Sequence, residues 1–143
     1  MTRKKWSYLL FAMYCAAMLW LLFGQRMGQG SDGILQLRPF STIRRFLWVL
    51  EHSSNLALRR TAWINLAGNV VMFVPLGFFC PCLWKWQRNF FLHFLTMTLV
   101  IAGIELLQLK AALGTCDVDD LMLNLLGTTL GLLLWKLWHW ITK

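Results

Sequence analysis

The chain has 143 residues, room for one domain, and 58% of them are hydrophobic, with a mean hydropathy of +0.55. That excludes an ordinary soluble domain, because a fold of this size leaves too much of its surface in water to hide so much apolar area. The net charge of +8 comes with no nucleic-acid-binding motif, so it points to anionic lipid headgroups and away from nucleic acid as a partner.

The first apolar stretch, residues 6–23, is uncharged and follows Arg3, Lys4 and Lys5. It begins as a signal peptide would, but "LLFGQRMGQG" offers no small-residue cleavage site, so a retained anchor is expected. The long connection 24–60 comes next. Its glycine-rich start, "GQRMGQGSDG", reads as a flexible turn. Its second part, "RPFSTIRRFLWVLEH", spaces Phe40, Ile43, Phe46 or Leu47, and Leu50 as one face of a helix, with Arg44, Arg45 and Glu51 between them. A short amphipathic helix lying in the membrane interface is expected there.

Three more stretches can cross a bilayer of ~30 Å at ~1.5 Å per residue: 61–84, 89–109 and 121–141, the last with Lys136 able to snorkel. The fold expected is all-α and polytopic, four transmembrane helices with one interfacial helix, as a single domain over 1–143. Tryptophans 6, 84, 86, 135, 138 and 140 should gather at one end as an aromatic belt. Cys15, Cys80, Cys82 and Cys116 lie in or beside apolar runs. Cys80-Pro-Cys82 has no second pair to complete a zinc site, so buried reduced thiols are expected, with no metal and no cofactor.

An even number of spans puts both termini on one side. Lys and Arg balance there, with 3, 4, 5, 85, 88, 136 and 143 on one side and 26, 38, 44, 45, 59, 60 and 110 on the other. The basic start before the first span tips the expectation to cytoplasmic termini in the cell membrane.

Polar residues recur at one end of the bundle. Asn65 and Asn69 share a face of the second span, Glu105 and Gln108 a face of the third, and Asp120 and Asn124 a face of the fourth, where Gly127 and Gly131 continue the stripe. Each has a plain structural reading. Asparagines join helices for ~0.6 kcal/mol apiece, and paired glycines more often mean close packing than function. Pro75 in "FVPLGF" marks a kink. Half of the six acidic residues fall at Asp117, Asp119 and Asp120. Helix capping explains one or two of them and does not require three. Glu105 is hardest to dismiss, since a carboxylate at the centre of a span costs ~2.5–3.5 kcal/mol on insertion scales. Convergence of the set suggests a polar pocket at one membrane face. Asp119, about 100° around the helix from Asp120, should tolerate asparagine better than Asp120 does.

With those residues in view, the chain resembles the VanZ-like family. The matching stretches are "LRPFSTI", "NLAGNVVMFVPLGF", "IELLQ" and "DVDDLMLNLLGTTLG", in that order across residues 37–131. The resemblance implies a small bacterial membrane protein of the cell envelope, from a family whose founding member is associated with resistance to teicoplanin, a lipoglycopeptide. It supplies no settled activity. The family's characteristic residues fall here on Pro39, Asn69, Phe73, Pro75, Gly77, Glu105, Gln108, Asp117, Asp120, Asn124 and Gly127. Members often carry an arginine between the glutamine and the aspartates, whereas this chain has only Lys110 there. Any pairing of the acidic loop would then come from Lys110 or the arginines of the long loop, and the two side chains are not equivalent.

Three functions are compatible with this pattern. The first is a non-catalytic envelope protein holding a lipid-linked cell-wall precursor, a lipopeptide or a lipoglycopeptide. Arg38, Arg44 or Arg45 would face phosphate, and Asn65, Asn69, Glu105, Gln108, Asp117, Asp120 and Asn124 would bind sugar or amide groups. The second is an enzyme on a lipid-linked substrate, with Glu105 and Asp120 as catalytic candidates and the aspartates on a divalent cation. The third is a small transporter component. Neither serine nor cysteine is paired with His52, His93 or His139, which argues against nucleophilic hydrolysis.

Overall fold

The structure, a computed structural model, describes residues 3–24, 35–113 and 116–142. Apart from Gly24, the glycine-rich turn expected at 24–33 lies outside the described residues. Among the described residues, four helices are long and apolar enough to cross a membrane: α1 (Arg3–Phe23), α3 (Leu56–Leu83), α4 (Phe90–Lys110) and α5 (Val118–Ile141). The helix of the long connection is α2 (Ser41–His52). Two residues on either side of the loops also pair, β1 (Leu35–Gln36) in parallel with β2 (Cys116–Asp117), in register Leu35 to Cys116 and Gln36 to Asp117. Nothing in the local pattern announces so short a ribbon.

Contacts between helices define two ends. Phe11 of α1 stands edge-on to Trp84, with ring centroids 5.6 Å apart, and Phe78 of α3 meets Trp138 of α5 at 5.9 Å. At the other end Gln108 of α4 donates to the carbonyl of Leu22 (2.9 Å), and Asn69 of α3 donates to Asp120 of α5 (2.7 Å). The chain's start and the end of α5 therefore share the first end, and the acidic run sits at the second. Between them Met18, Leu22, Phe73, Leu76, Cys80, Met97 and Ile101 form the buried core.

Polar side chains set the helix starts. Asn55 accepts from the amides of Ala57 (2.9 Å) and Leu58 (3.4 Å), Asn89 from that of Leu92 (3.1 Å), and Asp117 from that of Asp119 (2.9 Å). Capping at Asn55 starts α3 five residues before the expected 61. Its 28 residues are ~42 Å long, more than the ~30 Å of hydrocarbon, so its first turns, with Arg59 and Arg60, extend beyond the apolar layer. Charge marked where the membrane ends, not where the helix does.

Gly77, Gly127 and Gly131 bring the backbones of α3 and α5 together. A methyl group built on Gly77 would stand 2.7 Å from the Cα of Thr128, and one on Gly131 would stand 2.7 Å from the backbone nitrogen of Phe78. The small-residue stripe is thus a packing surface. Pro75 leaves the Val71 carbonyl without its helical donor. The next carbonyl, Met72, accepts from the Tyr14 hydroxyl at 2.7 Å, which ties α1 to α3 beside that break.

The expected belt needs one correction. Trp135 is only 5% exposed. It stacks on His139 with centroids 5.1 Å apart, and the Arg88 guanidinium lies 5.1 Å above its ring. Arg88 also donates to the Pro81 carbonyl (3.2 Å), closing the C-terminus of α3, so Trp135 belongs to the packed helix end. Trp20, Trp48 and Trp63 are exposed towards the other end, giving aromatic residues at both interfaces.

Candidate functional site: the acidic start of α5

The three aspartates do three different jobs. Asp117 caps α5, as above, and its second oxygen accepts the Thr42 hydroxyl at 2.6 Å. Asp119 is wholly buried. One of its oxygens accepts from the amides of Thr42 (2.8 Å) and Ile43 (3.0 Å), and the other accepts from the amide of Phe40.

Those amides are the second and third positions of α2 and the residue before its first turn. A helix normally satisfies them with its own N-cap side chain, but Phe40 occupies that place and has none to offer. Asp119 is therefore the N-cap of another helix, with a carboxylate at the positive end of the α2 dipole. Phe40 adopts the left-handed region at φ 62°, a conformation that costs a residue with a Cβ ~1–2 kcal/mol. In that conformation its amide turns to Asp119 together with those of Thr42 and Ile43. Together with the β1–β2 pairing, these bonds hold residues 35–43 on the start of α5.

Asp120 faces the other way and accepts the Asn69 amide. Asn124, one turn further along, is 3% exposed, and its side-chain oxygen has no partner in the protein. Glu105 is 5% exposed and borders a cavity of about 220 Å³ with Leu35, Cys116, Asp117 and Leu121. The Cys116 thiol is pushed above its usual pKa, first by burial and then by the carboxylates of Glu105, Asp117 and Asp120. The acidic groups are thus crowded under the β1–β2 ribbon.

The expected single pocket resolves into two surfaces. Asn65 and Asn69 line a groove of about 460 Å³ between α1 and α3, bordered also by Tyr14, Leu21, Met72 and Pro75. Glu105 borders the smaller cavity on α4 and α5. Asp120 stands between, bonded to Asn69. Gln108 joins neither surface, because its amide is committed to Leu22 and clamps α1 to α4. Arg38, Arg44 and Lys110 are exposed, and the partners of Asp117 and Asp119 are backbone amides and a threonine hydroxyl where a cation had been considered. Both oxygens of each of these aspartates already carry donors. Among the described residues, no three of His, Cys, Asp and Glu are arranged to hold a metal ion. His93 is buried near the start of α4, ~18 Å along that helix from Glu105, and so is no partner for it. All four cysteines are free.

The sequence assigns no role to Thr42 and offers Asp119 as a cap of its own helix, not of α2. The signal available was the absence of a capping side chain at Phe40 before a well-patterned helix. It says that a cap is missing, but not which residue 79 positions away supplies it.

Fold and site define a class: a four-span helical membrane protein whose first loop is held on the acidic start of its last span. The chain belongs to the VanZ/LLP1 family, whose model matches residues 6–139 and so takes in α1 as well as the stretches quoted above. Comparison with curated proteins and with solved structures gave no match. Several of the residues carried over from that family have packing roles here. Phe73 is wholly buried, and Gly77 and Gly127 set the α3–α5 approach.

Proposed function

We propose that the protein works in the bacterial cell envelope as a non-catalytic membrane component that holds a lipid-linked or lipopeptide ligand at the acidic end of its bundle. Tolerance of a lipoglycopeptide such as teicoplanin is the phenotype this reading connects to it. The observation that supports it best is the groove between α1 and α3, polar at Asn65 and Asn69 and apolar from Val71 to Pro75. An amphiphile could enter sideways from the bilayer with its chain in hydrocarbon and its head at the asparagines. Catalysis on a bound cation is less well supported, since Asp117 and Asp119 are spent on holding α2.

Growth under teicoplanin tests the reading. Asp120→Asn and Glu105→Gln should each reduce tolerance to that of cells lacking the protein, while the variants still accumulate in the membrane. Full tolerance in both would make these carboxylates structural and remove the ligand reading.

The same proposal places both termini in the cytoplasm and the acidic end outside, on the strength of the basic start before α1. A cysteine added beyond Ile141 should then resist membrane-impermeant thiol reagents in intact cells. Labelling from outside would invert the protein and move the groove's polar end to the cytoplasmic face.

A further inference from the structure

Beneath the start of α2, a groove of about 540 Å³ runs between α4 and α5. Phe94 of α4 walls it, and Met122, Leu126 and Thr129, on one face of α5, form its floor. Phe40 and Ile43 close its upper end. The lining is apolar, because its hydroxyl group, that of Thr129, is turned onto the Leu125 carbonyl of its own helix at 2.9 Å. Phe40, Phe94 and Leu126 are exposed, and around the spans the surroundings are hydrocarbon, so the groove opens to lipid. Thr129 lies ~16 Å along α5 from Val118, about half of the ~30 Å of hydrocarbon. The groove is therefore one leaflet deep.

What stands over that groove is cationic. Ile43, Arg44 and Leu47 share one face of α2, with Phe40 one turn before them. A helical side chain leans over the turn that precedes its own Cα, which carries Arg44 towards Phe40 and Ile43, the roof of the groove. Arg44 is exposed, and among the described residues its side chain has neither a hydrogen bond nor an ion pair. Arg38, two residues before Phe40, is exposed as well. The nearby carboxylates are engaged elsewhere. Asp117 and Asp119 are buried and bonded on both oxygens, and Glu51, ~10 Å further along α2, faces His52 at 3.9 Å. An apolar slot one leaflet deep, beneath an unopposed guanidinium, matches an acyl chain that ends in a phosphate. We infer that the α4–α5 groove seats one acyl chain of an anionic phospholipid, with its phosphate at Arg44. This site is separate from the α1–α3 groove and does not depend on the ligand reading above.

The full chain, purified in detergent, would be offered dioleoyl phosphatidylglycerol and dioleoyl phosphatidylcholine together, and the lipid it retains read by native mass spectrometry. The two share their chains, but choline offsets the phosphate of the second, so phosphatidylglycerol should be retained in preference. Arg44→Gln should weaken that preference about three- to fivefold, the scale of one exposed ion pair. The variant should fold, since the Arg44 side chain bonds to nothing that holds α2. Arg59→Gln removes the same charge at the same end, from a helix that does not line the groove, and should leave the preference unchanged. Leu126→Trp fills the slot from a half-exposed position and should lower retention of phosphatidylglycerol by a similar factor. Met122→Trp takes its place if that variant does not assemble. Glycerol phosphate, which has the phosphate without the chains, should not compete. An undiminished preference in Arg44→Gln, an equal loss in Arg59→Gln, or retention unaffected by filling the slot would overturn the inference. So would competition by glycerol phosphate, which would mean a phosphate contact that owes nothing to the groove.

Discussion

Asp119→Ala is expected to release α2 from the bundle while α1, α3, α4 and α5 stay assembled. The substitution strands the amides of Phe40, Thr42 and Ile43, at the buried edge of an interfacial helix. Each buried unsatisfied donor costs ~1–3 kcal/mol, reduced where water can reach it. Loss of the anion from the helix N-terminus adds ~0.3–1 kcal/mol. A total of about 2–4 kcal/mol is expected, read as a lowered Tm in detergent and as early tryptic cutting at Arg44 and Arg45, which are already exposed.

Asp119→Asn should cost about half as much. An amide can present an oxygen to one side only and turns its NH2 towards the donors on the other. Asp120→Asn should barely alter stability, because an asparagine oxygen can still accept from Asn69. Helical angle alone ranked the two neighbours for function and says nothing of this difference in stability. Asp119 is the structural carboxylate, and Asp120 is the one whose loss should be felt in function without unfolding. Equal melting temperatures for Asp119→Ala and Asp120→Asn would refute the assignment.

Gly131→Ala should be among the most damaging single methyl additions in the chain. The new Cβ would be driven into the Val74 carbonyl oxygen and would stand 2.7 Å from the Phe78 nitrogen. Both obstacles are backbone, so no side chain can swing aside and the helices must separate. Overpacking costs ~1–3 kcal/mol where neighbours can adjust, and the upper end or beyond is expected here. Gly103→Ala is the control. A methyl there meets nothing within 4 Å, and alanine gains up to ~1 kcal/mol over glycine in a helix. Unfolding in mixed micelles should therefore move in opposite directions for the two variants. A common direction would mean that the α3–α5 contact is looser than described.

Much of this molecule follows from local sequence. Hydrocarbon demands about twenty apolar residues per crossing, and the four runs satisfy that without reference to one another. The 3.6-residue spacing of Ile43, Phe46 and Leu50 is likewise enough to place α2, since an amphipathic face needs only its own period. Asn69, Glu105 and Asn124 could be assigned to sides that face protein and not lipid, because polar groups in hydrocarbon need partners.

Partnership is what local pattern cannot carry. The missing cap before α2 is supplied by Asp119, 79 residues from Phe40, and the pairing exists only once α5 has been brought beside the loop. Its buried place was not legible because angle around α5 says nothing about what lies outside that helix. Gln108 looked like a pocket residue and is a clamp on Leu22, since spacing along α4 cannot reveal which helix end stands opposite. The division of one expected pocket into an asparagine groove and a Glu105 cavity has the same origin. Depth in the membrane is read from position along each helix, but the side on which each polar face opens is decided only when the four helices are packed.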